Sequence, residues 1–187
     1  MISLEEAIEK RDVAQSLETL KDDPQQVKAP TKLGVSMLML ALYFELPEVA
    51  KAIRAHMPTL TFFEAAAMGE LDAVKKSVEA DAKMVDAFAP DGFTVLGLTI
   101  FFRQPEVATY LMDAGADVNL AAANARKVAP VHAACARQDL SMLKRLLDKG
   151  ADPDAAQEGG FTALRAAIQT GNVEMEALLR SAGATRD

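Results

Sequence analysis

Two histidines, His56 and His132, and a single cysteine, Cys135, are the residues of this chain best suited to acid–base or nucleophilic work. His132 and Cys135 lie three residues apart, a spacing that a helix brings to one face and that a Cys–His nucleophile could use. Such a nucleophile also needs an orienting third group and a cleft, and the sequence marks neither. Cys135 sits in the run Ala133-Ala134-Cys135-Ala136, where a free thiol packs as a small hydrophobe. His56 falls near the end of a helical segment, where a cation complements the dipole. Asp152 and Asp154 are close in sequence, but the further ligands of a calcium loop do not follow them, and they read as turn residues. A phosphate loop, a dinucleotide fingerprint and a helical zinc motif are all lacking. The expectation is a protein that is not an enzyme and carries no metal and no cofactor.

The elements around these residues set the remaining bounds. The chain has 187 residues, half of them hydrophobic and a quarter charged, which suits one domain with a real core. Its net charge of −7 argues against nucleic acid as a partner, because that needs a basic face to displace counterions, and against anionic membranes. One cysteine permits neither an intrachain disulfide nor a thiolate metal cage. The start MISLEEAIEKRD lacks the basic residues and apolar core of a signal peptide. No run of about 18 apolar residues occurs. A reduced, cytoplasmic setting is the simplest reading.

Three segments then share a phase. Thr94, Ala129 and Thr162 hold equivalent places, 35 and 33 residues apart, and Gly115, Gly150 and Gly183 each follow 21 residues later. Each segment reads as two short helices. The first is rich in small residues, as in His132-Ala133-Ala134-Cys135-Ala136 or Arg165-Ala166-Ala167-Ile168, which lets neighbouring helices approach closely. The second has apolar residues at helical spacing, as in Leu140, Leu143, Leu146 and Leu147. The closing glycine can take the left-handed backbone of a helix C-cap.

This pattern resembles the ankyrin repeat. Gly160-Phe161-Thr162-Ala163-Leu164 with Ala166-Ala167, Leu178-Leu179 and Gly183-Ala184 carries it most fully; Pro130-Val131-His132-Ala133-Ala134 keeps the helix start, and Gly115-Ala116-Asp117-Val118-Asn119 keeps the turn. The phase continues upstream through Leu60–Gly69 and Ser36–Ala41, and residues 2–21 read as one more degenerate helix pair. The resemblance implies an all-α fold: a single ankyrin-repeat domain over 1–187, a solenoid of about six helix-turn-helix units with short β-hairpin fingers. The units start near 2, 36, 60, 94, 129 and 162, and the first is a polar cap. The starts near 36 and 60 are too close for a full finger between them. Residues 21–32, with Pro24 and Pro30, read as a loose loop. In this family a histidine at the His132 place is structural and hydrogen-bonds near the helix start. The glycine between the two helices is kept at Gly69 and Gly171 but replaced by Glu45, Arg103 and Gln138, which predicts strained left-handed residues there.

The resemblance also implies a binding surface on the concave face, built from finger tips and the exposed part of each first helix. The corresponding helix places are Tyr43-Phe44, Ala67-Met68, Phe101-Phe102, Ala136-Arg137 and Gln169-Thr170. The finger places are Val35, Phe93, Val128 and Phe161. Six of the ten aromatic residues, Tyr43, Phe44, Phe93, Phe101, Phe102 and Phe161, fall in these places. Exposed apolar clusters mark interaction sites, and the alternative is that these rings brace neighbouring units. Arg103, Arg126, Lys127, Arg137 and Arg165 cluster along the same side, which suits a partner segment with an apolar residue and carboxylates. The expected partner-binding residues are Tyr43, Phe44, Met68, Phe93, Phe101, Phe102, Arg103, Arg126, Arg137 and Phe161. The expected function is a protein-binding adaptor or regulator, monomeric or a weak homodimer; the alternative is a structural, self-associating module.

Overall fold

The computed structural model describes residues 2–29 and 31–186. Twelve α-helices follow one another: α1 (Leu4–Glu9), α2 (Val13–Asp22), α3 (Met37–Tyr43), α4 (Pro47–Ala55), α5 (Phe62–Met68), α6 (Leu71–Ala80), α7 (Val95–Phe101), α8 (Pro105–Asp113), α9 (Pro130–Ala136), α10 (Leu140–Asp148), α11 (Ala163–Thr170) and α12 (Val173–Ser181). They pack as consecutive antiparallel pairs, α1 with α2 through α11 with α12. The odd-numbered helices also pack in a row, α1 on α3, α3 on α5, α5 on α7, α7 on α9 and α9 on α11.

Local sequence explains the helix ends. Ser3, Asp12, Ser36, Thr61, Thr94, Asp139, Thr162 and Asn172 each accept a backbone N–H of the first turn, satisfying donors that a helix leaves orphaned. Pro47, Pro105 and Pro130 start helices where their missing N–H is harmless. Between the helices of every pair stands one left-handed residue: Arg11, Glu45, Gly69, Arg103, Gln138 and Gly171, with φ from 52° to 79°. Glu45, Arg103 and Gln138 are strained where the missing glycines predicted it, and Arg11 adds a fourth case. Each costs about 1 kcal/mol relative to glycine.

The expected β-hairpin fingers do not form. Among the described residues there is no strand, only the isolated bridges Phe88–Thr94 and Ala156–Thr162. Three connectors give residues to 3-10 turns at Pro24–Lys28, Ala82–Asp86 and Glu158–Gly160, and backbone pairing is limited to single bonds such as Ala89 amide to Phe93 carbonyl (2.8 Å) and Ala122 amide to Val128 carbonyl (2.9 Å). Side-chain staples replace a ladder. Asp86 Oδ1 accepts from the Asp117 amide (2.8 Å), Asn119 Oδ1 from the Asp152 amide (2.7 Å) and Asp154 Oδ1 from the Thr185 amide (2.9 Å). These staples hold Asp152 and Asp154 in turns. The connector between α4 and α5 spans only residues 56–61. The segment read as a loose loop is partly helical, with α2 reaching Asp22 and a 3-10 turn beyond; Pro30 lies outside the described residues.

Two apolar clusters fill the interior. One runs through α1–α5 around Leu4, Ile8, Leu38, Leu40 and Ile53; the other runs through α5–α12 around Leu96, Ile100, Leu111, Leu143, Leu146 and Leu164. Helix α7 joins them, because Leu98 belongs to the first and Leu96 and Ile100 to the second.

Candidate functional site

The C-terminal ends of α3 and α7 bring three rings together. Tyr43 lies 6.0 Å from Phe101 and 5.0 Å from Phe102 between centroids, and Phe101 meets Phe102 edge-on at 5.4 Å. Helix α5 stands between α3 and α7 and presents only Ala65, Ala66 and Ala67 along its middle, so the larger residues on either side meet over it. The Tyr43 hydroxyl donates to Asp91 Oδ2 at 2.6 Å. Burial and that carboxylate push the phenol well above its ordinary pKa. The Arg137 guanidinium lies 4.2 Å from the Phe101 ring centroid, donates to the Phe101 carbonyl and pairs with Glu45 at 2.5 Å. That ion pair holds the Glu45 carboxyl below its usual range. Arg103 donates to the Arg137 carbonyl at 3.0 Å.

The other expected residues have separate surroundings. Phe44 packs on the N-terminal cluster under Arg11, 5.9 Å from the ring centroid. Met68 and Phe93 pack on the same cluster. Phe161 stands apart, with Arg165 at 5.7 Å. All six aromatics are half-buried rather than open, and Val35 is buried, which closes that finger place. Arg126 is exposed, and among the described residues its guanidinium makes no ion pair.

The aromatic cluster forms one wall of an open-mouthed cavity of about 230 Å³ between α7 and α9. Tyr43, Phe93, Leu98, Phe101 and Val128 make it apolar; Gly97, Ala133 and Ala136 keep it wide; Arg126 and Gln157 stand at its polar edge. Sequence reasoning named Tyr43, Phe93, Phe101, Val128, Ala136 and Arg126 but missed Gly97, Asp91 and Gln157. A signal for Gly97 existed, because it holds the place that His132 occupies in the next repeat segment.

The residues considered for chemistry are otherwise engaged. His132 Nδ1 accepts from the Ala129 amide at 3.0 Å, so its proton sits on Nε2, which donates to the Ala155 carbonyl at 2.9 Å. Burial lowers its pKa, and the ring satisfies the backbone amide of the N-cap residue Ala129, which itself supplies no side-chain cap. Cys135 is buried, and burial pushes its thiol up to about 12, which suppresses the thiolate. His56 caps the end of α4 and is exposed. Among the described residues, no cluster of three or more His, Cys, Asp or Glu could hold a metal ion, and no helix is long and apolar enough to cross a membrane.

Paired helices with one left-handed residue in each turn, a row of small first helices and side-chain staples between successive turns define a helical-hairpin repeat protein. Residues 131–179 match the family of ankyrin repeats (many copies). This segment, about a quarter of the chain, is similar to ankyrin repeats, which generally mediate protein–protein interaction and are generally non-enzymatic.

Proposed function

We propose that the chain is a single domain over 1–187, a solenoid of six units starting near 2, 36, 60, 94, 129 and 162. It acts as an adaptor or regulator that holds a partner protein against the face of its odd-numbered helices. The observation that carries this reading is the open apolar cavity between α7 and α9, edged by Arg126, which makes no ion pair among the described residues of a chain of net charge −7. Apolar concavities with a few convergent polar groups are the surfaces that binding proteins offer. Of the expected residues, Tyr43, Phe93, Phe101 and Arg126 border this opening. Phe44, Met68, Phe102, Arg103, Arg137 and Phe161 frame the same face. A cytoplasmic setting fits the single free thiol, and the acidic charge argues against nucleic acid or an anionic membrane as partner.

The test is photo-cross-linking from single reactive side chains in host extract. Positions Ala136 and Gln169, exposed on the first-helix face, are compared with Lys144 on α10. A partner recovered from the first two and not from the third supports the reading; the reverse sinks it. Changing Phe101 and Phe102 together to Ala is a poor test, because each ring packs on a different core cluster. The alternative, self-association, draws on the exposed Ile168 and Val173 of the last helix pair. Light scattering that shows a monomer at all concentrations removes it.

A further inference from the structure

We propose that the cavity beside Gly97 takes one large apolar side chain of a linear partner segment, and that Arg126 binds a carboxylate one or two residues away on that segment. The proposal rests on the groove reading and specifies its ligand.

Gly97 lies in the first turn of α7, where a glycine still favours the helix less than alanine does. Its backbone is not left-handed, and a Cβ there meets only Thr94 Oγ1, at 3.0 Å. The conformation therefore does not require glycine. At the same place in the next helix pair His132 fills the space and bridges to Ala155. The missing side chain at 97 opens the cavity instead. A cavity of about 150 Å³ is enough to admit a benzene ring, so about 230 Å³ walled by Tyr43, Phe93 and Phe101 has room for leucine, methionine or phenylalanine.

Charge decides what stands next to that side chain. The nearby Asp91 carboxylate is already occupied, Oδ2 by the Tyr43 hydroxyl and Oδ1 by the Phe93 amide. Among the described residues Arg126 makes no ion pair, and a guanidinium pairs best with a carboxylate, often bidentately. An apolar side chain with an acidic neighbour complements both groups, whereas the net charge of −7 disfavours a nucleic-acid strand.

The experiment pans a phage-displayed library of random linear peptides on the full chain, then measures binding of the enriched peptides by fluorescence polarisation. The expected peptides share a large apolar residue with Asp or Glu within two positions. Their affinity falls about tenfold or more in Ala136→Trp and in Gly97→Leu, and Arg126→Glu switches the preference from acidic to basic neighbours. Ala136 is exposed, so Ala136→Trp blocks the mouth without loading the core, and circular dichroism checks both blocked variants. Peptides that lack the acidic residue, that bind the blocked variants unchanged, or that fail to enrich at all overturn the proposal. A homodimer that Ala136→Trp dissociates also overturns it, by giving the cavity to a second copy. If cross-links still map to Ala136 and Gln169 while the blocked variants bind normally, only the pocket assignment falls. Cross-links from Lys144 alone remove the groove reading itself.

Discussion

The face built by the odd-numbered helices differs between its two halves. From α3 to α7, large side chains consume one another: Tyr43 reaches Phe101 and Phe102 over the alanines of α5, its hydroxyl is taken by Asp91, and Arg137 closes over Phe101 and onto Glu45. From α7 to α9 the face carries glycine and alanines, and the space they leave stays open beside Arg126. Aromatic density therefore marks the half that braces itself. The proposed binding surface lies where glycine and alanines leave space beside those rings.

Substitutions can break or sharpen this contrast. Phe101→Ala removes a ring that packs on the core, on two aromatic neighbours and under Arg137, and should cost about 2–3 kcal/mol in urea unfolding. Val128→Ala, across the open cavity, should cost about 1 kcal/mol or less; equal losses would erase the distinction. Arg137→Ala should cost about 1–2 kcal/mol, through the lost ring contact and bond to the Phe101 carbonyl, and should not be rescued by Lys, which cannot span both.

His132 gives a pH signature. Its folded-state pKa lies below the ordinary 6.5, so the unfolded chain binds the proton first. The stability it contributes is complete above 6.5 and is lost as pH falls towards and through the folded value, by at most about 1.4 kcal/mol per pH unit. His132→Gln should flatten that slope. Glu45, Asp113 and Asp154, held low by Arg137, Lys149 and the Thr185 hydroxyl respectively, act only in the more acidic range of carboxylates.

Smaller effects come from the turns. Gln138→Gly should stabilise by up to about 1 kcal/mol, and Gly171→Ala should destabilise by about as much; a thermal melt reads both. Arg126→Ala should change stability by less than about 0.5 kcal/mol, which would set the proposed binding role of Arg126 apart from the structural role of Arg137.

Much of the helical order was legible. Thr94 and Thr162 stand where spacing placed a helix start, and the missing glycines at Glu45, Arg103 and Gln138 announced their strained backbone. These signals are local, carried by caps, turns and helical periodicity. The fingers were misread because the same residues can form a strand pair or a 3-10 turn, and staples such as Asp86 to Asp117 join segments about one repeat apart. The site was half legible. Equivalence between units placed Tyr43, Phe101 and Arg126 on one face. It could not show that α5 is thin enough for Tyr43 to cross it, since that depends on three helices at once. Gly97 escaped notice because an empty space has no side chain to count.

The reach of Glu45 to Arg137 bears on how the molecule comes apart. In a linear stack each hairpin touches only its neighbours, so unfolding can start at one end and stop between hairpins. Here an ion pair links the second helix pair to the fifth, and Tyr43 links the second to the fourth. Fraying of α3 and α4 thus removes contacts from α7 and α9 as well. The middle of the chain should protect its amides from exchange as one cooperative block, and α11–α12, outside that clasp, should open first.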